Sequence, residues 1–127
     1  MFQHPHYMMV MVTDMQRSVA FYRDVLGLTL RFESPGWSEF STGPTTLVLH
    51  GWGDPEPVPH LTELPARPTA GTCSFGFYVS DLQAAFAELV ARGVKVLKPP
   101  TNLEDFGFWA AIVLDPDGTT ISLAQKV

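Results

Sequence analysis

An α+β fold of two tandem βαβββ modules, forming a curved mixed sheet around a cleft, is the architecture predicted for this 127-residue chain. Three features predict it: a strand–helix–strand grammar that occurs twice, an aspartate at the head of each helix, and a proline-rich stretch between the copies. The modules are expected at about 5–50 and 72–125, joined by a linker over 51–71, all within a single domain.

The first module opens with YMMVM, whose alternation predicts a half-buried strand, followed by Asp14 as a helix cap. Met15, Val19, Tyr22 and Leu26 then recur at helical spacing, and Gly27 stands where a helix stops in the left-handed region. Strands are expected over 29–33, 37–42 and 45–50. The second module repeats the pattern: SFGFYV, Asp81 as cap, a helix with Leu82, Phe86, Leu89 and Val90 inward, Gly93 as stop, then strands over 94–97, 107–114 and 119–124. Val12 and Asp14 match Val79 and Asp81, while Thr45, Thr46 and Leu49 match Thr119, Thr120 and Leu123. Five prolines between 51 and 71 exclude a central strand or a continuous helix there. That segment reads as a spacer, or as a flap anchored by Trp52 and Leu61; KPPTNLEDFG (98–107) reads as a second loop.

Composition narrows the function. Eight Lys and Arg against a net charge of −5 give no cationic surface for nucleic acid. MFQHPHY is not a secretory leader and no apolar run is long enough to cross a bilayer, so a cytoplasmic chain with no membrane partner is expected. Cys73, the one cysteine, is expected to be a reduced, buried thiol. Neither a phosphate-binding glycine loop nor a serine nucleophile elbow is found.

By strand parity, Met8, Val10 and Val12, with Phe75, Phe77 and Val79, should face the helices. Tyr7, Met9 and Met11 with Ser74, Gly76 and Tyr78 should then face the cleft, together with Thr46, Val48, His50, Thr120, Ser122 and Ala124.

DMQRSVAFY (14–22), DVLGL (24–28) and the DPDG turn (115–118), set in a duplicated frame, resemble the vicinal-oxygen-chelate superfamily of glyoxalases, bleomycin-resistance proteins and extradiol dioxygenases. The resemblance implies a divalent metal held by the first and last strands of each module. It also implies a homodimer and a small-molecule ligand. Carried onto this chain, the metal positions are Tyr7, Val48, Ser74 and Ser122. A phenol, a valine and two hydroxyls do not supply the imidazole and carboxylate donors such an ion needs, so no metal and no other cofactor are expected.

The reading that follows is a glyoxalase/bleomycin-resistance-like protein that binds a small apolar or aromatic molecule, leaning away from an enzyme. Its expected contacts are Tyr7, Met9, Met11, Val48, His50, Ser74, Tyr78, Trp109 and Ser122, with Trp37 as a further candidate. The net charge suits a cationic ligand. One alternative is a metal-dependent lyase, isomerase or dioxygenase whose ligands have moved to His50, His6, Glu39 or Glu104. The other is a non-catalytic interaction module whose cleft is filled.

Overall fold

The computed structural model describes residues 1–51, 71 and 73–127. The proposed linker therefore lies outside the described residues except at its two ends, Gly51 and Gly71, as do Trp52, His60 and Leu61. Two compact units divide the chain, Met1–His60 and Leu61–Val127, each an α+β module with a four-stranded mixed sheet.

In unit 1, β1 (Tyr7–Met11) pairs in parallel with β4 (Thr45–His50), which pairs antiparallel with β3 (Trp37–Thr42), and β3 with β2 (Thr29–Phe32). Between β1 and β2 runs α1 (Met15–Ala20), continued by a π-helical turn over Phe21–Val25. Asp14 starts α1 by accepting from the Arg17 backbone N–H at 3.1 Å. The π turn closes through Leu26 N–H to the Phe21 carbonyl, and Gly27, at φ 75°, ends the segment. Val19, Phe21 and Tyr22 are buried against the face that carries Val10, Phe40, Leu47 and Leu49. The Tyr22 and Phe40 rings meet there with centroids 6.0 Å apart.

Unit 2 repeats the plan in the order β5-β8-β7-β6, with β5 (Phe75–Tyr78), α2 (Leu82–Ala91), β6 (Lys95–Leu103), β7 (Phe108–Leu114) and β8 (Thr120–Lys126). Asp81 caps α2 by accepting from Ala84 N–H at 3.0 Å. Leu82 and Leu89 are buried with Ala111, Val113, Ile121 and Leu123, and the Phe75 and Phe77 rings pack edge to face on the same side. Val90 is a correction: expected inward, it is exposed, because the stripe that meets the sheet is set by Leu82 and Leu89, one turn-multiple apart. The DPDG turn is built by Asp115, 2% exposed, whose carboxylate accepts from Asp117 N–H and Thr119 N–H at 2.9 and 2.8 Å.

Two further expectations are corrected. Residues 98–103 belong to β6 rather than to a loop, and only Glu104–Phe106 turns, as a 3-10 segment. Pro99 and Pro100 are tolerated because β6 is an edge strand whose register breaks twice, between Val96 and Lys98 and between Lys98 and Thr101. Cys73 is exposed, not buried, because it precedes β5 and lies outside the packed sheet.

Each cap is a single side chain serving a backbone donor that the helix itself cannot satisfy. Asp81→Ala is therefore expected to cost about 1 kcal/mol of stability, with Asp81→Asn losing much less. Urea unfolding followed by circular dichroism checks the ordering; equal losses for the two variants would contradict it.

Candidate functional site

Register alone assembles the open face of unit 1. Across β3, β4 and β1 the paired residues form three rows: Ser41–Thr46–Tyr7, Glu39–Val48–Met9 and Trp37–His50–Met11. All lie on the side of the sheet opposite α1, because Phe40, Leu47, Leu49 and Val10, the alternate residues, are the ones buried beneath the helix. Tyr7, Met9 and Met11 remain 48%, 40% and 41% exposed.

Tyr7 and Trp37 stand at opposite corners of this patch, where Cα atoms are roughly 16 Å apart by strand spacing and rise. Their ring centroids nevertheless lie 6.5 Å apart, so both side chains lean over the middle row. That accounts for Val48, central in the row and only 1% exposed. The backbone of Trp37 is fixed by Ser34, whose Oγ accepts from Trp37 N–H at 3.0 Å. His50 sits 5.5 Å from the Trp37 ring, and its Nδ1–H donates to the Gly36 carbonyl at 3.0 Å. Since a carbonyl only accepts, this contact fixes the tautomer of the neutral ring.

A polar corner completes the face. The register of β2 slips between Leu30 and Phe32, so two residues of β2 stand against one step of β3, and Arg31 is the extra one. Its Nη2 donates to Thr46 Oγ1 at 2.8 Å, and its Nε lies 3.7 Å from a Glu39 carboxylate oxygen.

Unit 2 carries a plainer counterpart. Ile112–Ser122–Gly76 form one row and Ala110–Ala124–Tyr78 the next, with Ser74 exposed just ahead of β5. Lys126 Nζ lies 4.7 Å from the Tyr78 ring centre, a cation–π distance, and an open pocket of about 360 Å³ is lined by Tyr78, Val79, Ser80, Gln125 and Lys126. Gly76 is required by the sheet itself: a Cβ there would stand 2.6 Å from the Ser122 carbonyl oxygen and 2.7 Å from Ser122 Cβ.

The expected contacts thus divide. Tyr7, Met9, Met11, Val48 and His50 come together on one face of unit 1, joined by Trp37; Tyr78 and Ser122 share a face of unit 2. Trp109 does not join them. It pairs with Gln125, whose Oε1 accepts from the Leu82 N–H at 2.7 Å on the α2 side, so parity sets Trp109 on the face away from Ser122. Arg31 and Thr46 complete the polar corner, yet only the β2 bulge, invisible to an alternation count, brings Arg31 onto this face.

The residues at the four metal positions do not fit an ion. Val48 has no donor atom and is covered, and phenol and hydroxyl groups bring neither anionic nor imidazole donors. Of the relocated set, His50 donates through Nδ1–H to the Gly36 carbonyl, a Glu39 carboxylate oxygen lies 3.7 Å from Arg31 Nε, His6 stacks edge-on against Tyr7, and Glu104 belongs to unit 2. Among the described residues no three His, Cys, Asp or Glu side chains are grouped as a metal site requires.

Against known proteins, the model of the Glyoxalase/Bleomycin resistance protein/Dioxygenase superfamily matches residues 4–123. The chain is 31% identical over 130 residues to "Uncharacterized protein YaeR" of Escherichia coli (strain K12), covering 95% of each. Among solved structures it is similar to TnmS3, an antibiotic binding protein from Streptomyces sp. CB03234, at 27% identity and TM-score 0.76 over 99% of this chain and 98% of that one. It also shares its fold with lactoylglutathione lyase from Agrobacterium tumefaciens, at 20% identity and TM-score 0.71 over 94% and 90%.

Proposed function

The chain belongs to the glyoxalase/bleomycin resistance protein/dioxygenase superfamily, and from that premise we propose that it binds a small apolar or aromatic molecule without a metal ion. The observation that carries this reading is the unit 1 face: two thioethers and two leaning aromatic rings stand around a buried valine, and Tyr7 and Val48 are two of the four positions at which the resemblance implies metal ligands. Such a surface suits a flat ring. Methionine side chains adapt to an irregular outline, while Tyr and Trp offer broad contact at low entropic cost. The likeness to an antibiotic-binding protein supports a binder over a catalyst.

Two measurements test the proposal. Protein purified without added metal and dialysed at neutral pH is expected to hold no stoichiometric Mn, Fe, Ni or Zn by mass spectrometry; one ion retained per chain overturns it. A library of flat aromatic compounds should contain members that raise the melting temperature, since ligand at 100 times its Kd stabilises by about 2.7 kcal/mol. A homodimer, also part of this reading, is expected to appear as twice the chain mass in light scattering.

A further inference from the structure

Glu39 is the carboxylate in the middle row of the unit 1 face. Its side chain is 30% exposed, and among the described residues no side-chain or backbone donor forms a hydrogen bond with its carboxylate. Arg31, the nearest cation, is 3.7 Å away through Nε, which supplies charge but no hydrogen bond. Arg31 is also held in place from the other side, because its Nη2 is bonded to Thr46 Oγ1 at 2.8 Å. The row neighbours of Glu39 are Val48 and Met9, neither of which has a side-chain donor. A carboxylate with solvent access and no protein donor is free to accept a hydrogen bond from a ligand laid on this face.

We infer that Glu39 is the specificity-determining residue of this face, selecting aromatic ligands that bring an O–H or N–H donor to the middle row. The inference rests on the apolar-face reading above and adds the polar group the ligand carries. Arg31 acts through Glu39 as a positioning residue: its Nε faces the carboxylate from 3.7 Å while the bond to Thr46 restrains its own swing. The ring lies against Met9, Tyr7 and Trp37, and its donor bonds to a Glu39 oxygen. A neutral donor meeting a charged acceptor forms a charge-assisted hydrogen bond, stronger than one between neutral groups.

The test uses the full chain with its methionine methyl groups labelled with carbon-13, titrated with 2-naphthol and with 2-methoxynaphthalene at neutral pH. The two probes differ by a methyl group that removes the donor and leaves the ring. Both are expected to shift the Met9 and Met11 methyl signals, with 2-naphthol binding about tenfold or more tightly. Glu39→Leu is expected to erase that preference while the methyl shifts persist, and Glu39→Gln, which keeps a neutral acceptor, to leave part of it. Equal affinity of the two probes for the wild-type protein, with the methyls still shifting, overturns the role of Glu39 and leaves the face intact. A preference that survives Glu39→Leu overturns it as well. If neither probe moves the Met9 and Met11 signals, the face reading fails and this inference with it.

Discussion

Phe40→Ala is expected to lower the stability of the protein by about 3–5 kcal/mol, a large share of the 5–15 kcal/mol typical of a folded domain. Phe40 is 0% exposed and packs on Tyr22, itself 0% exposed, at the point where the π-helical turn meets the sheet. Truncation removes the transfer energy of the ring and leaves a cavity that two regular strands and a capped helix cannot collapse to fill. Phe40→Leu keeps most of the volume and should cost under about 1.5 kcal/mol. Urea midpoints for the pair, at unchanged m-value, measure the difference. A loss below 1.5 kcal/mol for the alanine variant would mean that this contact does not hold unit 1 together.

Gly76→Ala should destabilise by about 1–3 kcal/mol for the opposite reason, addition rather than loss. Backbone conformation is no obstacle, since Gly76 is not among the glycines at positive φ. The obstacle is Ser122, whose carbonyl oxygen and Cβ would lie 2.6 and 2.7 Å from the new methyl, and two hydrogen-bonded strands must part to admit it. Removing the Ser122 side chain relieves only one of these clashes. The double variant Gly76→Ala/Ser122→Gly, measured as a double-mutant cycle, should therefore recover part of the loss after the cost of Ser122→Gly alone is subtracted. Full recovery would show that the side chain, and not the backbone approach, forbids alanine.

Much of the fold could be read from residue order because its signals are local and repeated. Asp14 and Asp81 announce their helices, Gly27 and Gly93 close them, and the twofold grammar places strands that single-segment patterns leave ambiguous. The face membership of Tyr7, Met9, Met11, Val48 and His50 followed from alternation along strands whose ends were marked. What escaped depends on neighbours in space. Pro99 and Pro100 look like strand breakers until β6 is known to be an edge. Trp109 lies on the side away from Ser122 because the register of β7 against β8, not the composition of β7, decides its side. Arg31 reached the candidate site through one extra residue in β2, a feature that shows only once β3 is laid beside it. A single turn of π-helix has too few residues for periodicity to separate it from α-helix, so Phe21–Val25 reads as ordinary helix.

The two prolines of β6 bear on how copies of this chain can meet. An open sheet edge is a template: its outward N–H and C=O groups invite another strand to continue the ladder, which is how soluble sheets grow into fibres. β6 offers Pro99 and Pro100 in place of two amide donors, and its two register breaks interrupt the straight run a newcomer would need. A continuous ladder along the whole of β6 is thereby interrupted at its middle, leaving only the short runs on either side of Pro99 and Pro100 with backbone donors to offer.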